Sequence, residues 1–174
     1  RSYLQAGAHI QGSSDIADYT DWDIPTTLAY VTDPEIVRIQ SIPPHYTKAL
    51  LTAADAQNIA IVGEPGSSFD GVDCTDPAGE EGFRGAMGIR ICRCRNVTLS
   101  GYTFERSANW SHQVDSCENL LAQDVTVLGG HDGFNIHHCT NVSIKNCTLK
   151  TGDDCVAGFD AQNVTVEGCL LNTA

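Results

Sequence analysis

The sequence predicts an all-β fold, a right-handed single-stranded parallel β-helix with about 22 residues per coil. Three observations predict it. Five asparagines, Asn58, Asn96, Asn119, Asn141 and Asn163, open the same Asn-apolar-x-apolar phrase, and the last four stand 23, 22 and 22 residues apart. Asn58-Ile59-Ala60-Ile61, Asn96-Val97-Thr98-Leu99, Asn141-Val142-Ser143-Ile144 and Asn163-Val164-Thr165-Val166 are close copies, and Asn119-Leu120-Leu121-Ala122 is a degraded one. Other apolar positions keep the same register: Leu99, Ala122, Ile144 and Val166 form one column, and Phe104, Val127, Leu149 and Leu171 another. Within the repeat, Val, Ile, Thr and Asn dominate and no helix-favouring run occurs, so the period reads as strand coils and not as helix pairs.

The elements follow in order along the chain. Residues 1–57 hold alternating apolar stretches, Pro34, Pro43 and Pro44, and an acidic, aromatic segment from Asp15 to Asp23, and are expected to form an N-terminal cap with the first irregular coils. Residues 58–174 are expected to form the regular coils of the same single domain. The interval from Asn58 to Asn96 is 38, so one coil carries extra residues, and the Gly, Pro, Ser and Asp content places the insertion at about 63–88. Such insertions leave a solenoid from one edge and wall a groove. In each coil, side chains two apart point inward and meet their equivalents about 4.8 Å above and below. Asn suits the recurring turn, because it tolerates left-handed backbone and its amide can bond to the same amide in the next coil. The phrase from Asn163 ends half a coil later at Ala174 without a polar cap, so the sequence is expected to be truncated there.

Charge excludes several classes of partner. A formal net charge of −12 with ten Lys and Arg argues against nucleic acid and anionic membrane surfaces, both of which need a basic footprint. No run of eighteen apolar residues and no signal-peptide pattern is visible. Arg84, Arg90, Arg93 and Arg95 lie close together around the first regular coil. They read chiefly as a solvated edge that discourages strand pairing, and secondly as a subsite for carboxylates. Of the eight cysteines, Cys94, Cys117 and Cys139 precede a phrase Asn by two, and Cys147 and Cys169 follow one by six. They form two ladders of small buried thiols. Cys155 with Cys169 is the disulfide pairing to test first. Three of the five sequons, at Asn96, Asn141 and Asn163, belong to the ladder; the others are at Asn109 and Asn146.

The chemistry lies at one point in the register. Asp132 follows Asn119 by 13 and Asp154 follows Asn141 by 13, with Asp153 adjacent. Three carboxyls therefore share a face of neighbouring coils, where like charges within about 5 Å cannot all ionise freely. A protonated acid beside an ionised one is the pairing that glycoside hydrolysis uses. A Ca²⁺ site or an Asp-rich turn would also account for the residues.

The segment from His131-Asp132-Gly133 to Gly152-Asp153-Asp154-Cys155-Val156-Ala157 resembles the signature of the polygalacturonase-like glycoside hydrolases, family 28. There Asn-Thr-Asp-Gly is followed one coil later by Gly-Asp-Asp-Cys-Ile-Ala. Gly12-Ser13-Ser14-Asp15 with Tyr19 is similar to the family's Gly-Ser-x-Asp-x-x-x-Tyr, Gly63 to Gly71 to a stretch ending Ile-Asp-Gly, and Ser107-Ala108-Asn109-Trp110 to Ser-Pro-x-Trp. The resemblance implies that Asp153 is the general acid and that Asp132 and Asp154 hold and deprotonate the attacking water, with inversion at the anomeric carbon. Gly130 and His131 stand where the family has Asn and Thr, and the later Gly-His-Gly and Arg-Ile-Lys elements fall beyond Ala174.

The expectation is thus an inverting glycosidase on pectin-like polysaccharide, polygalacturonan first and rhamnogalacturonan or another uronide second. His131, Trp110 and Asn109 are the candidate substrate-binding residues, with a structural His131 and a packed Trp110 as the competing readings. Neither a metal nor another cofactor is expected, and the chain is expected to be a monomer. The resemblance favours an extracellular location. Two other readings remain open: a Ca²⁺-dependent pectate lyase on the same architecture, and a catalytically incomplete carbohydrate-binding β-helix.

Overall fold

The computed structural model describes residues 1–22 and 47–174. Its strands repeat coil by coil. The first coil contributes β1 (Ser2–Leu4) and β2 (His9–Gln11). Complete coils then follow: β3 (Ala49–Ala54), β4 (Gln57–Gly63) and β5 (Ser68–Asp70); β6 (Met87–Cys92), β7 (Arg95–Ser100) and β8 (Thr103–Glu105); β9 (His112–Asp115), β10 (Glu118–Gln123) and β11 (Thr126–Leu128). The last two are β12 (Phe134–His137), β13 (Thr140–Lys145) and β14 (Thr148–Thr151), and β15 (Val156–Phe159), β16 (Gln162–Glu167) and β17 (Leu170–Thr173). Equivalent strands stack into three parallel sheets, β1-β4-β7-β10-β13-β16, β2-β5-β8-β11-β14-β17 and β3-β6-β9-β12-β15. This is the right-handed parallel β-helix that the repeat predicts.

The Asn phrase sits where the third sheet hands the chain to the first. Every such turn is two residues long, as at 93–94 and 116–117. The first of the two has positive φ in each coil: Asp55, Arg93, Ser116, His138 and Asp160 lie between 50° and 53°. The phrase Asn is also left-handed, with φ from 54° to 59°, and drops out of the strand ladder, so that Gln57 pairs with Arg95 and Ile59 with Val97. Its amide bonds the next one instead. Asn96, Asn119, Asn141 and Asn163 each donate from Nδ2 to Oδ1 of the preceding ladder Asn at 3.0, 3.2, 3.0 and 3.0 Å. The first of these bonds reaches Asn58, so the extra residues between Asn58 and Asn96 leave the ladder intact.

Inside, the apolar columns form the core. Phe69, Phe104, Val127 and Leu149 are in register and fully buried. Phe69 and Phe104 stack at 6.1 Å. Cys94 and Cys117 donate their backbone N–H to the Sγ of Cys117 and Cys139, and Cys147 to that of Cys169, so the thiols stack as two ladders. All eight cysteines are free. The Cys155–Cys169 pairing is not formed: Cys155 Sγ faces Thr151 Oγ1 and Leu149 O, and Cys169 Sγ faces Ile144 O and Glu167 O.

Two boundaries differ from expectation. Regular coils begin before residue 58, because β1 and β2 pair in register with β4 and β5, and β3 pairs with β6. Pro34, Pro43 and Pro44 lie outside the described residues. The insertion is narrower than 63–88: it runs over 71–86, between β5 and β6, with a short 3₁₀ turn at Glu80–Gly82. Gly63 belongs to the close-packed corner before β5, where an added Cβ would meet Ser67 Oγ at 2.2 Å and Tyr102 Cβ at 2.9 Å. Small residues there mark crowding and not loop.

Candidate active site

The connections from the second sheet to the third are irregular, and the candidate site is built from them. Those that follow β5, β8, β11 and β14 run over 71–86, 106–111, 129–133 and 152–155. The 129–133 turn presents Asp132 and the 152–155 turn presents Asp153 and Asp154. The backbone clamps them in register: Gly133 N donates to Asp154 O at 2.9 Å, and Ser111 N to Asp132 O at 2.8 Å. Gly133 permits this approach, since an added Cβ would lie 2.5 Å from Cys155 O. The predicted three acids are thereby brought together, with one carboxylate oxygen of each within 4.8 Å of the others.

Their environments differ. Asp132 is recessed at 5% exposure and accepts a hydrogen bond from Asn135 Nδ2. Burial pushes its carboxyl up to about 6, and the charges of Asp153 and Asp154 push the same way against the Asn135 bond. Asp153 and Asp154 are exposed. Asp153 meets a member of the arginine cluster, the Arg84 guanidinium, at 3.6 Å from Nη2 to Oδ2. Arg84 also lies 3.5 Å from buried Glu80 and 3.4 Å from Glu81. Burial raises the Glu80 carboxyl, Arg84 opposes that shift, and Glu81, Asp132 and Asp153 add to it.

Glu80, Arg84, Trp110, Asp132, Asn135, His137, Asp153, Asp154, Ala157, Gly158 and Phe159 line one cleft of about 290 Å³. Asn135 and His137 reach it because alternate side chains of β12 point outward, in register with Ala157 and Phe159 of β15. The cleft wall is aromatic: His137 lies 5.7 Å from Trp110 edge-on and 4.9 Å from Phe159. Burial pushes His137 down to about 4, so its ring is neutral. Among the described residues, the three aspartates are also the group whose oxygens converge closely enough to hold a cation.

The candidate substrate-binding residues divide. Trp110 lines the cleft but is 6% exposed and meets His137 edge-to-face, so little of its ring is open for stacking. Asn109 is buried and not on the cleft; its Oδ1 accepts from Trp110 N at 3.0 Å and its Nδ2 donates to Gly85 O at 3.4 Å, which ties the 71–86 loop to the next turn. His131 is half-buried against Phe83 at 5.8 Å, and burial together with the Arg84 charge lowers its imidazole. The arginine cluster also divides. Arg93 pairs with Asp55 and Arg95 with Glu118 on the surface, whereas Arg90 is buried on Gln113 and Trp22 O, and Arg84 enters the cleft.

The profile of glycosyl hydrolases family 28 matches residues 39–173. The chain belongs to this family. Its fold is that of two solved structures of the same architecture. One is a candidate glycosyl hydrolase from Parabacteroides merdae ATCC 43184, with a TM-score of 0.74 and 15% identity over 98% of this chain and 72% of that one. The other is the polygalacturonase from Erwinia carotovora ssp. carotovora, with a TM-score of 0.69 and 16% identity over 96% of this chain and 48% of that one. The family 28 chain thus spans about half the length of that polygalacturonase. No curated protein matches it.

Proposed function

We propose that this family 28 chain is an inverting glycoside hydrolase acting on pectin-like polysaccharide, with polygalacturonan as the first substrate. The observation that carries the reading is the in-register clamp of Asp132 against Asp153 and Asp154 inside the cleft. Asp153, exposed at the cleft mouth, gives its proton to the leaving glycosidic oxygen. Water between Asp154 and recessed Asp132 attacks the anomeric carbon as they take its proton. Asp132 is too deep to attack the sugar itself, which favours water over a covalent intermediate. The three carboxyls nevertheless lie closer than the roughly 6.5–9.5 Å of an open two-carboxylate inverting site. The anomeric form of the first product, read by NMR, therefore decides the stereochemistry.

The first test is reducing-sugar release from polygalacturonate at mildly acidic pH with chelator present, for this chain and for Asp153→Asn. Release that persists in chelator and vanishes in the variant is expected. Convergence of the three carboxylates also favours a second reading, a Ca²⁺-dependent lyase. Loss of activity in chelator with an ultraviolet-absorbing unsaturated product would establish it. Binding of oligogalacturonide without turnover would instead make the chain a carbohydrate-binding β-helix.

A further inference from the structure

We propose that Arg84, from the 71–86 loop, is the residue that recognises a uronate carboxylate in this cleft and sets the charge specificity of the site. The inference rests on the hydrolase reading above. Two arginines of this chain, Arg93 and Arg106, close both arms on one carboxylate. Arg93 Nε and Nη2 donate to the two oxygens of Asp55 at 2.7 and 2.6 Å, and Arg106 Nε and Nη2 likewise to Asp70. Arg84 does not. It touches three different carboxylates, Glu80, Glu81 and Asp153, at 3.5, 3.4 and 3.6 Å, and its buried Nε–H has no acceptor. A guanidinium carries five donors in a planar fork that fits one carboxylate side-on. Here the Nε arm of the fork is unfilled and the other arms are loosely shared, the side chain is only 11% exposed, and it lines the cleft beside the reacting acids.

The loop delivers this fork rigidly. Arg84 N donates to Glu80 O at 2.9 Å, Gly85 N to Ala108 O at 3.0 Å and Ala86 N to Cys74 O at 3.2 Å. Within the loop, Gly79 lies so close to Arg84 that an added Cβ would meet Arg84 O at 1.8 Å. Burial raises the Glu80 and Asp132 carboxyls, which weakens the competition of these two acids for the cation, and Glu81 and Asp153 are the exposed partners that a substrate carboxylate would displace. In a pectic chain the fitting anion is the sugar carboxylate. Its two oxygens take the guanidinium, and the loose contact to Asp153 is exchanged for one to substrate.

The test compares an oligogalacturonide with its methyl ester, which lacks that charge and carries a methyl group instead, on the parent chain, Arg84→Gln and Arg84→Lys, with circular dichroism to check folding and calorimetry to record binding. A charge-assisted fork is expected to give the parent a preference for the free acid of about tenfold or more in kcat/KM. Arg84→Gln should level the two substrates, chiefly through KM, and Arg84→Lys, a point charge without the fork, should fall between. An Arg84→Gln chain that keeps the preference, or loses both substrates equally, overturns the inference while the hydrolase reading stands. If Arg84→Gln does not fold, an unchanged preference in Arg84→Lys overturns it. A parent that neither binds nor cleaves either substrate overturns the hydrolase reading, and this inference with it.

Discussion

Two sets of turns in one coil use the same repeat in opposite ways. From the third sheet to the first, every turn is two residues, begins left-handed and is followed by a ladder Asn. From the second sheet to the third, the described connections shrink from the 71–86 loop to 152–155, and the last two share little beyond Gly130 with Gly152 and Asp132 with Asp154 at equal offsets from the ladder Asn. The first set fixes the stacking: one amide bond from each coil to the next and two left-handed residues per corner. The second is free to vary because the ladders on either side hold the strands, and there the carboxyls, the guanidinium and the aromatic wall collect. Repetition makes the scaffold, and departure from it makes the site.

The comparison can be broken at either side. Asp153→Asn should cut hydrolysis by about 10²–10⁴-fold, the usual contribution of a positioned acid, with an unchanged melting temperature. Phe104→Ala, within the stacked column, should cost about 3–5 kcal/mol of stability, seen in urea unfolding, and leave cleavage of the folded fraction near that of the parent. On the ladder, Asn119→Ala replaces a residue that tolerates left-handed backbone by one that does not, at φ 59°, and removes the amide bonds. That change should cost about 1–2 kcal/mol or somewhat more, whereas Asn119→Gly keeps the backbone free and should cost less.

A pH test sharpens the same contrast at the site. Asp132 reaches about 6 when folded, against about 3.9 for an unfolded aspartate. Its contribution to stability is therefore full below about pH 4 and is lost as pH rises through about 6. Asp132→Asn should gain in melting temperature relative to the parent between pH 4 and pH 7, and a constant difference would contradict the assignment. The smallest effect is expected for reductant: with all eight cysteines free, dithiothreitol should leave the melting temperature unchanged.

Much of this was legible in the sequence. The Asn period gave the coil, its register and the amide ladder, and the offset of 13 from Asn119 and Asn141 placed Asp132 beside Asp154. Less legible were Asn135 and His137, although they stand three and five residues after Asp132 on a strand whose alternate side chains face one way. Asn109 read as a site residue because its motif did, yet its amide is taken by backbone. Glu80 carried no signal at all, and Arg84 carried only its membership of a cluster whose other members turned elsewhere.

The sequence by itself determined the winding of this chain, because stacking is a local rule applied once per coil, and each coil spells it again. It determined the aspartate cluster for the same reason, since in-register positions are neighbours wherever the helix is regular. Tertiary structure alone decided what surrounds those acids. The path of the 71–86 loop depends on bonds to Ala108, Asn109 and Cys74 that no period encodes, and it is that path which brings Arg84 to Asp153 and buries Glu80 beside them.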